Sequence, residues 1–270
     1  MGALGKFTVV AAVLLCKAAL AQPLTIPGAG PPEVPLRALA AAFEAAHPGL
    51  TVHIPPSTGI AGGIRAVKNG EAPLSRIARR LTADEEREGL RQFVYGADAV
   101  IFAAGSRVDV QGLSSQQAID LFAGRIESWK ALGGADVPVR LAVRESTEIA
   151  HREIRRHIPP FAAIRFPEHA KLVNADYEMV EILDRFRTAV GWMTRSSVLS
   201  SKGGVRALSL DGVPPSPENV ASSKYPMAVE HVLIYRDGQL GEPARRFVAF
   251  VQSDAGRRVL AEHGVVRRDN

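Results

Sequence analysis

The stretch Ala142-Val143-Arg144-Glu145-Ser146-Thr147-Glu148 sets a guanidinium, two hydroxyls and two carboxylates where an apolar strand gives way to a helix-like sequence. Arginine keeps its charge and offers paired N–H groups to a carboxylate or phosphate. Free backbone amides at a helix start add to such a seat. The chemistry implied by Arg144, Ser146 and Thr147 is the holding of an anion. Glu148 runs against it, because two unit charges ~4 Å apart interact by on the order of 4 kcal/mol at an effective dielectric near 20. Three arrangements reconcile the two. Glu148 pairs with Arg144 or Arg79 when the site is empty, or it points outward as a first-turn glutamate favoured by the helix dipole. In the third it accepts a donor or positive group of the ligand. Arg144 has its own structural alternative, a salt bridge with Glu145 or Glu148.

Other chemistries find less support. A nucleophilic Ser146 or Ser57 needs a positioned base. No G-x-S-x-G elbow is present, and His151 reads as a surface residue. Glu148 and His151 stand i, i+3 on one helical face, but a metal site needs further ligands. No catalytic group, metal or cofactor is expected.

These residues belong to a chain of 270 residues, 46% hydrophobic and 23% charged, as in soluble globular proteins. That length suits one large domain or two smaller ones. Phe7–Cys16 is an apolar run too short to span a bilayer. It follows Lys6 and precedes Ala19-Leu20-Ala21, so the start reads as a secretory leader cleaved after Ala21. Cys16 is the single cysteine and leaves with the leader, which excludes disulfides and thiolate metal sites in the mature chain. Loss of Lys6 and Lys17 leaves 31 basic residues against 28 acidic, a net of +3. Such a mild excess gives no sign of nucleic acid.

Periodicity supplies the elements that position the candidate residues. Residues 24–30 read as a strand entering a glycine turn. Leu36, Leu39 and Phe43 form one helical face that His47-Pro48-Gly49 stops, and 50–56 alternate as a half-buried strand. This β-α-β start predicts an α/β domain with parallel strands. Residues 98–105 read as a strand buried on both faces, followed by a helix with a Ser114/Gln117 capping box. Strands are expected at 138–144, 189–194 and 230–236, and helices at 177–188 and 242–253. Residues 212–226 read as a long loop. Trp129 and Trp192, in apolar frames, are assigned to the core.

Several segments together identify a family. The run 124–134 after a capped helix, 211–236, and the closing 247–266 resemble the phosphate-binding-protein branch of ABC-importer solute receptors. The opening 24–30, the loop-helix 59–67 and 70–82 resemble it in the same order. The resemblance implies a two-lobed, type II periplasmic binding protein-like α/β fold. Two crossing strands, near 99–104 and 227–235, join its lobes. Lobe one would comprise 24–98 completed by 230–270, and lobe two 99–229. The ligand would be a small anion, phosphate or a related oxyanion or carboxylate, clamped between the lobes. The protein would be a periplasmic monomer serving the membrane permease of an ABC importer. A sensor or scaffold of the same fold is the alternative, and a hydrolase a more distant one.

The resemblance also assigns contacts. Gly30 lies in the loop after the first strand, Thr58, Gly62 and Gly63 at the second loop and helix start, and Arg79 in the third segment, with Arg76 and Arg80 as rivals. Arg144, Ser146 and Thr147 form the fourth, with Glu148 modulating selectivity. The family's hydroxyl positions are held here by Pro32, Ile60, Glu148 and Ala150. Proline has neither hydroxyl nor N–H, and all four departures remove hydroxyls. These departures argue against ordinary high-affinity phosphate binding, and the expectation is an anion cleft of altered selectivity.

Overall fold

A computed structural model describes residues 22–267 apart from Ser200 and Lys202. The expected leader and Cys16 lie outside the described residues. In chain order the first part comprises β1 (Leu24–Thr25), α1 (Glu33–Ala46), β2 (Val52–His53), α2 (Gly59–Lys68), β3 (Ser75–Ile77), α3 (Ala83–Arg87) and β4 (Leu90–Gly105). Next come β5 (Gly112–Leu113), α4 (Ser115–Phe122), β6 (Arg140–Val143), α5 (Ile149–His157), β7 (Lys171–Leu172), α6 (Asp176–Arg185), β8 (Ala189–Thr194) and α7 (Arg195–Val198). The last part is β9 (Val205–Ala207), β10 (Ser209–Leu210), α8 (Pro217–Ala221), β11 (Ala228–Arg236), α9 (Glu242–Gln252) and α10 (Asp254–Glu262).

The long strand β4 organises the rest. At about 3.3 Å per residue its 16 residues run about 50 Å. Its first half pairs antiparallel with β11, from Leu90↔Arg236 to Ala99↔Ala228. Its second half pairs with β8, from Val100↔Thr194 to Ala104↔Val190, and with β9. The sheet order is β3-β11-β4-β8-β6-β7. Leu90 belongs to a small core with Ile64, Val67 and Ile234. Tyr95 joins Leu36, Phe43, Phe247 and Leu260 in a second core. Ala99 to Ala104 enter the largest core, with Phe122, Trp129, Phe161 and Trp192. One strand thus serves packing on both sides of its midpoint.

The start of the chain is parallel as expected, β1 pairing with β2. The long sheet is mixed, because β3, β11, β4 and β8 are antiparallel neighbours. The Ser114/Gln117 capping box is present, with the Gln117 amide donating to Ser114 Oγ at 3.1 Å and the Ser114 amide to Gln117 Oε1 at 2.8 Å. Both tryptophans are fully buried. The expected loop at 212–226 contains α8: Ser216 accepts from the Asn219 amide and Pro217 occupies the first turn, a start signal hidden in a proline-rich stretch. His151 is not a surface residue. Its ring is 4% exposed and packs against Phe161, Phe166 and Trp192, and burial lowers its pKa.

Candidate functional site: a cleft at four helix starts

A cavity of about 540 Å3 opens between the packing cores. One wall consists of residues 29–34, leading into α1, and 57–61, leading into α2. The facing wall consists of the turn and first residues of α5, from Arg144 to Arg152, and of 173–177, leading into α6. Four helix starts therefore line one space. Each carries amides without intrahelical partners and a partial positive charge. The N-cap residues of α1, α2 and α6 make no side-chain cap bond, and at α2 Ser57 Oγ accepts from the Gly59 amide at 3.2 Å.

The start of α5 differs. Glu148 is its N-cap, its Oε2 accepting from the His151 amide at 2.9 Å. Its Oε1 is buried, lacks a hydrogen bond and stands 3.9 Å from Arg144. Burial pushes the Glu148 carboxyl above its ordinary pKa, and Asp176 adds to the shift while Arg144 opposes it. The carboxylate stands near Arg144, as in the first of the three arrangements expected for Glu148, and does not point outward as in the second: it is the buried N-cap and lines the cleft.

Arg144, 5% exposed, is heavily engaged. Its Nη1 donates to Asp176 Oδ1 at 2.5 Å and its Nη2 to the Asn174 carbonyl at 3.0 Å. Asp176 is held in turn: its Oδ2 accepts from the Thr194 amide at 3.1 Å, from Thr194 Oγ1 at 2.8 Å and from Ser197 Oγ at 2.8 Å. Arg144, Asp176 and Glu148 together carry one formal negative charge.

On the opposite side, Arg76 is completely buried. It donates to the carbonyls of Ile26 (2.5 Å), Ala29 (2.8 Å) and Pro55 (2.8 Å) and to Glu33 at 3.3 Å. It ties together the chain before and within the loop leading into α1 and the loop after β2. Glu33 also pairs with Arg37 at 2.9 Å, so this trio carries one formal positive charge.

The sequence-derived candidates divide by position. Gly30, Thr58, Arg144, Thr147 and Glu148 line the cleft. Gly62, Gly63, Arg79 and Ser146 do not. Gly63 is a packing glycine: a Cβ there would collide with Ser75 Oγ and lie 3.0 Å from Gly28 Cα. A Cβ on Gly62 would stand 2.7 Å from Thr58 Oγ1. Arg79 is clamped by Glu85 through bonds of 2.8 and 2.7 Å, which hold the Glu85 carboxyl down to about 2. It faces a neighbouring hollow that Arg65, Lys68 and Arg152 share. Arg80 is bound to Glu230 at 2.9 Å. Ser146 is exposed, its carbonyl accepting from Arg155.

Sequence reasoning missed Asp176, Asn174, Tyr177 and Arg152, all of which line the cleft. The one available signal was the acidic first turn of α6, which reads equally as helix-dipole compensation.

Behind the cleft, where β4 changes partner, Asp98 and His231 are fully buried with Nε2 and Oδ2 3.9 Å apart. Burial raises the Asp98 carboxyl to about 7 and lowers His231 to about 3. Among the described residues neither His231 nitrogen has a hydrogen-bond partner, and Asp98 accepts only long bonds of 3.3 Å from the Ser196 amide.

Two α/β cores threaded by a shared strand, with a cleft at opposed helix starts, define the two-lobed fold of type II periplasmic binding proteins. A family model described as a PBP superfamily domain matches residues 17–255, and the chain belongs to that family. It is 27% identical over 252 residues to the phosphate-binding protein PstS of Bacillus subtilis, covering 90% of this chain and 80% of that one. Identity to PstS of Borreliella burgdorferi is 21% over 208 residues, 75% of each chain. A solved structure from Clostridium perfringens, assigned as a phosphate ABC transporter substrate-binding protein with bound phosphate, has a TM-score of 0.78 at 23% identity. It covers 92% of this chain and 100% of that one. The chain is thus phosphate-binding-protein-like.

Proposed function

We propose that the chain is a periplasmic receptor, released after cleavage near Ala21, that captures a small anion and presents it to the permease of an ABC importer. Its working halves are 24–98 completed by 230–270, and 99–229. They close on the ligand as a monomer, flexing where β4 and β11 pass between them. The observation that carries this reading is the convergence of four helix starts, three whose N-cap side chains make no cap bond, on one cleft. Amides held in place by the helices are oriented before an anion arrives, so little reorganisation opposes binding. Closure of the halves would exclude water and strengthen each of those bonds. Gly30, Thr58, Arg144, Thr147 and Glu148 are the contacts assigned to the cleft, with Gly62 and Gly63 supporting the α2 turn.

The test is calorimetry on protein beginning at residue 22, unfolded and refolded to strip ligand, against orthophosphate, sulfate, phosphonates and carboxylates. At least one oxyanion should bind with one-to-one stoichiometry. Failure of every member of the set removes the reading.

A further inference from the structure

Most charged groups of the cleft are already committed to protein partners. Arg144 is held by Asp176 and the Asn174 carbonyl. Glu33 is held by Arg37 and Arg76. Two charges stand outside this set. Arg152, exposed in the second turn of α5, and Glu145, exposed in the turn before α5, both line the cleft. Neither side chain has a hydrogen bond or ion pair among the described residues. Arg152 also borders the neighbouring hollow and shares with Ile60 and Ala61 the boundary between the two cavities. It therefore stands opposite the start of α2, where the Gly59 amide is taken by Ser57 Oγ and the N-cap Thr58 side chain caps none of the amides that follow.

The cleft is polarised in the same sense. The wall from α1 and α2 is backed by the Arg76–Glu33–Arg37 trio, with one excess positive charge. The wall from α5 and α6 holds the Arg144–Asp176–Glu148 trio, with one excess negative charge; Glu145 adds a negative and Arg152 a positive charge, so the wall keeps one excess negative charge. Exposed Tyr177 offers a half-apolar surface on that wall. A bare dianion is met by Arg152 and the wall from α1 and α2 but leaves Glu145 without a counter-charge.

We propose that the ligand is zwitterionic, an organic oxyanion that also bears an amino group. Arg152 and the α2 start receive the oxyanion, and Glu145 receives the ammonium. Arg152 and Glu145 are specificity-determining residues beside the engaged Arg144. This rests on the reading of the cleft as an anion receptor.

The experiment is titration of the stripped protein with 2-aminoethylphosphonate, ethylphosphonate and orthophosphate, repeated on Arg152→Ala and Glu145→Gln. Both substitutions are at exposed positions, and thermal unfolding of each confirms that it remains folded. The aminophosphonate should bind at least tenfold more tightly than either other anion. Glu145→Gln should bring it level with ethylphosphonate, and Arg152→Ala should weaken both phosphonates about tenfold. Orthophosphate binding as tightly as the aminophosphonate, or unchanged affinities in both variants, overturns the inference and leaves the anion-receptor reading standing. No binding of any of the three to the wild-type protein overturns the inference, and the extension of that result to sulfate and carboxylates brings down the receptor reading as well.

Discussion

Two buried arginines flank the cleft, and they are stabilised in opposite ways. Arg76 gives its hydrogen bonds mainly to neutral backbone carbonyls, of Ile26, Ala29 and Pro55, and meets one carboxylate at 3.3 Å. Arg144 gives its shortest bond to a carboxylate at 2.5 Å and has a second carboxylate 3.9 Å away. Carbonyl dipoles satisfy the donors of a guanidinium without cancelling its charge. Carboxylates do both. Arg76 thus fastens loops and leaves positive potential on its side of the cleft, whereas Arg144 is electrically silenced. A buried arginine beside a binding cleft need not be a ligand contact, and its partners tell which kind it is.

The largest effect is expected at Arg76. Arg76→Met strips donors from three carbonyls and an acidic partner at once, and should cost about 3–5 kcal/mol of stability in urea denaturation. A cost below 1 kcal/mol would show that the two loops are held by other contacts. Next is Asp176→Asn, which keeps the shape and leaves Arg144 with a neutral partner. It should destabilise by about 2 kcal/mol while raising sulfate affinity several-fold, because the silenced guanidinium regains its field. Unchanged sulfate affinity in calorimetry would place the anion beyond the influence of Arg144.

The smallest effect is at Glu148. Glu148→Gln retains an oxygen to cap α5 and removes a charge, so stability should move by less than about 1 kcal/mol. The pH dependence is the sharper readout. Burial raises the Glu148 pKa, so on acidification the carboxyl takes up its proton earlier than an ordinary glutamate and loses its repulsion for anions. Affinity of the wild-type protein for sulfate, which keeps its charge throughout, should climb as pH falls through that raised value. In Glu148→Gln this climb should be absent. Equal pH profiles in the two proteins would exclude Glu148 as its source.

Much of the fold was legible because it follows from local pattern. The stripe Leu36, Leu39 and Phe43 is buried as read, and the continuous apolar run after Asp98 is the half of β4 that enters the largest core. The Ser114/Gln117 box is a signal contained in four residues. The site was less legible because its decisive contacts are distant in sequence. Arg144 and Asp176 are 32 residues apart, and no periodicity predicts that they meet. Arg79 was read as facing ligand because its clamp, Glu85, sits in a short helix without an apolar face. His151 was misplaced for a related reason: its aromatic neighbours Phe161, Phe166 and Trp192 come from three later segments.

The threading of β4 and β11 also governs the order in which the molecule can be built. Leu36, Leu39 and Phe43 emerge early, yet Leu233, Phe247, Phe250 and Leu260, which complete their core, come from the far end of the chain. Contacts that span most of a sequence form slowly, since a long loop must close before they are rewarded. A chain released from its N-terminus would keep its first half unfinished until nearly the whole length had been delivered. Such delay suits the export proposed above, in which the polypeptide passes through a narrow channel unfolded and becomes compact only on the far side.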